Sequence, residues 1–166
     1  MLVKYTNLYR LTGTSDSSIE GKKKATIMYD NLLNYMKTLE NLSINLLFDR
    51  TFFTEEIYCR LGFKDYSFTD VYERLVEELS KMDFKIFYFT LYLKDEGQFE
   101  KRLARAGKAV PKYAKFKAES SINQQREYLK MAEEIKQKYP NINVVNIQND
   151  KDFEEVKKEL IDILGE

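Results

Sequence analysis

Ile44-Asn45-Leu46-Leu47-Phe48-Asp49-Arg50 is the stretch that decides the fold reading. A short, nearly unbroken apolar run reads as a buried parallel strand. It ends in a carboxylate beside a guanidinium, and an open α/β sheet places its ligand crevice at the carboxyl ends of its strands. Working outward, residues 54–61 suit a short helix with Thr54 as its N-cap. Residues 69–82 form an amphipathic helix with Val71, Leu75, Val76 and Leu79 on one side. Before the strand, residues 23–39 carry Ile27, Leu32, Leu33, Met36 and Leu39 at helical spacing. Residues 12–18 are polar and turn-rich, hence a loop, and residues 7–11 are a short candidate strand.

Farther on, residues 85–93 place Ile86, Tyr88 and Thr90 on one face and Phe87, Phe89 and Leu91 on the other. Large apolar side chains on both faces predict a central buried strand. A charged helix over 98–106, a basic loop over 107–117 and a long helix over 119–138 follow, then a strand over 141–147 and a helix over 152–164. Pro111 and Pro140 both fall where a helix is expected to end. Strands alternating with helices predict one three-layer α/β domain over 1–166. Its parallel sheet is expected to hold 44–48, 85–93 and 143–147 together.

Composition narrows the chemistry. The chain has 166 residues, with Lys+Arg and Asp+Glu equal at 27 each. Zero net charge supplies no global field for a nucleic-acid polymer or an anionic membrane, so any anion site must be local. There is no histidine and one cysteine, Cys59. That excludes a histidine base, imidazole zinc sites and an internal disulfide, and no metal-ligating set emerges. No apolar stretch reaches membrane-spanning length and the first residues lack a signal-peptide layout, so the expectation is a cytoplasmic protein. Twelve Tyr and 11 Phe suit base stacking or an aromatic core.

Phosphoryl transfer needs positioned cations on the phosphates and a carboxylate near the acceptor hydroxyl or a magnesium-bound water. Asp49 is the candidate carboxylate, and Arg50 the candidate bidentate ligand of an acceptor phosphate or hydroxyl. The plainer reading is an Asp–Arg pair capping a strand end. Arg102 and Arg105 lie three apart and share a helical face. With Lys101 and Lys108 they form a group able to close over a transferring phosphate. The plainer reading is a solvated face laced with Glu96 and Glu100. Phe52, Phe53 and Tyr58 are candidates to line a base pocket, against core packing for each alone.

In order, these segments resemble the thymidylate kinase and deoxynucleoside kinase branch of the P-loop kinases over roughly residues 7–164. The residues that carry the resemblance are Leu46-Leu47-Phe48-Asp49-Arg50 with the following helix and its Tyr58, the strand over 87–93, and Arg102-Leu103-Ala104-Arg105-Ala106-Gly107. Glu119 opening a helix that carries Tyr128, and the strand over 141–147, complete it. The resemblance implies phosphoryl transfer from ATP with Mg²⁺ to a deoxynucleoside or its monophosphate. It also implies a lid over about 95–118 and a homodimer.

No Gly-x-x-x-x-Gly-Lys-Ser/Thr phosphate loop precedes the strand. Residues 16–23 hold a Gly21-Lys22 pair, yet Asp16 stands at the first glycine position and Lys23 at the magnesium-binding hydroxyl. Glu20 would set a carboxylate where backbone N–H groups should converge on phosphate. Lys22-Lys23-Lys24 reads better as a solvated helix start. By the family's layout the first strand, central in its sheet, is missing with its loop. The expected remedies are direct pairing of the strands it separated, filling by residues 1–11, or a strand received from a partner. The expectation is a kinase-like protein that transfers no phosphate as it stands, against a non-catalytic nucleotide- or protein-binding module and a purely structural α/β protein.

Overall fold

A computed structural model describes residues 5–11, 15–105 and 118–165. Its elements run β1 (Tyr5–Arg10), α1 (Ile19–Thr38), β2 (Ile44–Asp49), α2 (Phe52–Arg60), α3 (Thr69–Ser80), β3 (Ile86–Tyr92), α4 (Gln98–Arg105), α5 (Ala118–Lys138), β4 (Ile142–Gln148) and α6 (Phe153–Leu164). The chain is α/β. Its contacts divide it into two compact units, Met1–Ile86 and Phe87–Glu166.

In the first unit, β1 runs parallel to β2, with Leu8 opposite Leu47 and Arg10 opposite Asp49. Three helices build the core. Ala25, Tyr29, Leu33 and Met36 recur at three- and four-residue spacing along α1 and are buried. They share the interior with Phe52 and Ile57 of α2 and with Val71, Leu75, Val76 and Leu79 of α3. Tyr29 meets Phe52 and Phe68 edge-on at ring distances of 5.9 and 6.0 Å. Helix α1 starts four residues earlier than its apolar spacing predicts, because the Ser18 side chain caps it, accepting from the Gly21 N–H. Thr51, not Thr54, caps α2, accepting from the Phe53 N–H. Gly62 ends α2 with φ +72°, and its N–H donates to the Cys59 carbonyl.

In the second unit, β3 pairs with β4. Beyond the strand ends, the Asn149 N–H donates to the Tyr92 carbonyl at 2.8 Å. Met131, Ala132 and Ile135 of α5 bury against this unit's interior with Leu93, Ile142 and Ile147. Arg126 of α5 grips Glu96 through two nitrogens, at 3.2 and 2.9 Å.

Two expectations are corrected. Among the described residues, hydrogen bonding forms two two-stranded sheets rather than one sheet holding 44–48, 85–93 and 143–147. The strands read as buried are also half open. Asn45, Leu47 and Asp49 are exposed on β2, and Leu91 is exposed on β3. Among the described residues, β2 and β3 each have one hydrogen-bonded strand neighbour. Tyr5–Arg10, overlapping the strand expected over 7–11 and lying in the segment named as one of three remedies for the missing strand, pair with β2. No helix among the described residues is long and apolar enough to cross a membrane.

Candidate functional site

The strand-end group sits in the first unit. Asp49 closes β2, and its Oδ2 lies 3.1 Å from Arg10 Nε, its register partner on β1. Both side chains are half or more exposed, so the pair contributes about 0–1 kcal/mol. Asp49 therefore pairs with Arg10 and not with its sequence neighbour. Arg50 stands next with φ +69°, a left-handed conformation uncommon for a side-chain-bearing residue, which turns the chain out of the strand before α2. Such strain concentrates at turns and at functional sites.

The three aromatic candidates follow in α2. Phe52 is buried, its ring 4.5 Å from Phe53 and 5.9 Å from Tyr29. Phe53, half-buried, also meets Tyr72 edge-on at 5.9 Å. Tyr58 meets Phe63 at 5.6 Å. Phe52 thus fills the core, while Phe53 and Tyr58 keep part of their surface open.

Sequence reasoning missed a buried polar cluster in the same helix. Glu55 accepts from the Tyr66 hydroxyl at 2.5 Å and lies 3.2 Å from the Lys64 ammonium, both side chains almost fully buried. Glu56 is buried outright. Its Oε1 accepts from Arg60 Nε at 2.8 Å and from the Thr69 hydroxyl at 3.0 Å, while Oε2 is buried without a partner among the described residues. The i,i+4 spacing of Glu56 and Arg60 was a visible signal for the pair but not for its burial. Burial and the two neighbouring carboxylates push the Cys59 thiol up to about 12, so it stays a thiol at neutral pH.

The second group lines a cavity of about 300 Å³ in the second unit. Leu91, Tyr92 and Leu93 at the carboxyl end of β3 form one wall, and Asn149, just past β4, another. Phe99 and Arg102 come from α4, and Ser121, Gln124, Gln125 and Tyr128 from α5. The α5 residues stand at i, i+3, i+4 and i+7, one helical face. Arg102 Nη2 donates to the Asn149 carbonyl at 2.7 Å, which fixes the guanidinium beside the cavity. The Gln125 carboxamide takes both backbone groups of Leu93, accepting from its N–H at 2.7 Å and donating to its carbonyl at 3.1 Å. Asp150 Oδ2 accepts from the Asp95 N–H at 2.9 Å, and this bond chiefly holds the carboxyl below the usual range.

Of the lid cations, Arg102 lies at this cavity and Lys101 is exposed on α4. The Arg105 side chain and Lys108 lie outside the described residues, as do residues 106–117 of the expected lid over 95–118. Asp49 and Arg50 belong to one compact unit and Arg102 to the other. The cavity lies outside the strand ends, where an α/β sheet holds ligands. It is a depression open to solvent, lined by apolar, aromatic and polar side chains.

The Gly21-Lys22 stretch is no phosphate cradle. It lies inside α1, where Glu20 pairs with Lys23 at 3.2 Å and Lys22 with Asp70 at 2.8 Å. No family model, curated protein or solved structure matches the chain.

Proposed function

We propose that this protein binds a nucleotide or nucleoside on a kinase-like α/β scaffold of three-layer ancestry and transfers no phosphate by itself. The observation that carries the reading is the cavity at the β3 and β4 strand ends, where a fixed guanidinium stands beside aromatic walls. Such a combination suits an anionic ligand with a flat ring. The order of strand, Asp49-Arg50, aromatic helix and Arg102-bearing helix supports it through the resemblance to nucleoside and nucleoside-monophosphate kinases.

ATP with Mg²⁺ is what a kinase of that kind uses. The described residues do not fit that pair. They include no glycine-rich anion loop, and no group of three or more His, Cys, Asp or Glu that could hold a metal. Residues 16–23 are spent on a loop and a helix start. What the chain's own residues supply is binding and orientation. Arg102 offers its remaining N–H groups to an anion, Phe99 adds an aromatic side chain to the lining, and Ser121 and Gln124 offer polar contacts.

The test is calorimetric titration of the full chain with nucleoside mono-, di- and triphosphates, with and without magnesium, beside label transfer from ATP to deoxynucleosides and their monophosphates. Binding that survives chelation of magnesium and weakens in Arg102→Gln, with no transfer, is the expected result. Absence of binding by every nucleotide would refute the reading. Turnover near ~1 s⁻¹ would refute its non-catalytic half. A second reading, a protein-binding module, draws on one observation: Leu8 and Leu47, register partners in the β1–β2 sheet, are 66% and 52% exposed.

A further inference from the structure

Tyr9 and Tyr35 lie 26 residues apart in sequence, and their hydroxyls share a hydrogen bond at 2.9 Å. Tyr9 belongs to β1, where its ring stacks at 5.1 Å on Phe48, its register partner on β2. Tyr35 belongs to the last turn of α1. The two rings meet edge to face, with centroids 6.0 Å apart. In a phenol the ortho carbons neighbour the carbon that bears the oxygen. Two phenol oxygens at hydrogen-bond distance therefore bring an ortho edge of each ring together. Tyr9 is half-buried and Tyr35 is 43% exposed, so a reagent in water reaches the pair. The open Tyr35 ring is also free to turn as a bond forms.

Several competing targets of oxidation are missing or shielded. The chain has no tryptophan and no histidine, which leaves tyrosine as its one aromatic side chain that gives up an electron readily. Cys59 is half-buried with its thiol pushed up to about 12, so little of it is the thiolate that oxidants attack. Tyr29 and Tyr72 are buried in the first unit's core. Between Tyr9 and Tyr35 the hydrogen bond adds a route for charge. The donor phenol passes its proton across that bond as its electron leaves, so no cation builds on the ring.

We propose that Tyr9 and Tyr35 form an oxidative cross-linking site, at which a one-electron oxidant of phenols, such as a peroxidase haem acting with peroxide, joins β1 to α1. Each phenol gives up one electron and one proton and becomes a phenoxyl radical. The two radicals couple through one ortho carbon of each ring, and a carbon–carbon bond forms. Each coupled carbon then gives its hydrogen, through water, to the oxygen of its own ring, which restores two phenols. One peroxide takes up the two electrons and two protons and leaves as two waters. The biphenol closes residues 9–35 into a loop that holds the strand against the helix. The site goes beyond the nucleotide-binding reading and does not depend on it.

The experiment treats the full chain, dilute and folded, with a haem peroxidase and limiting peroxide. It reads the blue emission of the biphenol and sequences the tryptic fragments by mass spectrometry. The expected product is monomeric and lacks two hydrogen atoms, with fragment 5–10 joined to fragment 25–37 through Tyr9 and Tyr35. Tyr9→Phe and Tyr35→Phe each keep the ring and remove one hydroxyl, and each should abolish that product. In urea, where only random encounter joins the rings, its yield should fall to that of other tyrosine pairs. The cross-linked chain should also protect its β1 and α1 amides from exchange more strongly, because the closed loop restricts the unfolded chain. The comparison of folded chain with urea uses the wild type alone, so it stands whether or not a variant folds. Absence of the biphenol, a 9–35 link no more abundant than other pairs in the folded chain, or an equal yield in urea would overturn the site. The same two fragments joined in Tyr9→Phe would place the link on Tyr5 and overturn it as well.

Discussion

Breaking the Glu56–Arg60 pair from its two ends is expected to give unequal losses. Glu56 has no side-chain exposure, whereas Arg60 keeps 22% of its side chain in water. Arg60→Met leaves a buried carboxylate with the Thr69 hydroxyl on Oε1 and, among the described residues, no partner on Oε2. An uncompensated buried charge of that kind costs about 3–5 kcal/mol. Glu56→Leu removes the buried charge itself. The guanidinium can rehydrate through its open side and stays 5.7 Å from the Tyr72 ring. The Thr69 hydroxyl loses an acceptor, worth about 1 kcal/mol, and the leucine returns part of that by apolar burial. The expected loss is therefore about 1 kcal/mol, and the gap between the two variants about 2–4 kcal/mol, roughly thirtyfold or more in an equilibrium constant. Native-state amide hydrogen exchange is the suitable assay, because α2 and α3 amides report on the first unit alone. The double variant Glu56→Leu/Arg60→Met should lie near Glu56→Leu, since hydrophobic replacement of a whole buried pair is often neutral. If Glu56→Leu opens α2 and α3 as far as Arg60→Met does, the burial asymmetry has been given the wrong weight.

Gly21→Ala should destabilise the first unit by about 1–3 kcal/mol, although alanine is the better helix former by about 1 kcal/mol. A Cβ there would sit 2.2 Å from the Asp16 carbonyl oxygen, which is backbone and cannot swing away; thermal or urea unfolding reads the sign directly. The Asp16 carboxyl should titrate near 2 by NMR, held down first by the Ser18 hydroxyl, then by Lys24 and the Ser18 N–H. Its folded value lies below the unfolded one, so its contribution is present above pH ~4 and is lost as pH falls through about 2. Ser18→Ala should raise that midpoint, and an unmoved midpoint would reject the assignment.

The sequence by itself determined the elements. Apolar residues at three- and four-residue spacing located α1, α3 and α5, and short runs of branched and aromatic residues located β2, β3 and β4, because those periods follow from backbone geometry alone. Helix starts were misplaced by a few residues where capping decided them, since Ser18 and Thr51 act through one hydrogen bond and leave little periodic trace. Only the tertiary structure decided the rest. Which strands pair depends on contacts far apart in sequence, and among the described residues β2 and β3 each hydrogen-bond one neighbour although each is apolar enough to be central. Asp49 found Arg10 because parallel register set them side by side, a relation invisible along the chain. Gln124 and Gln125 look alike in sequence. They differ because a helix turns about 100° per residue: one carboxamide bonds the Leu93 backbone, and among the described residues its neighbour makes no such bond.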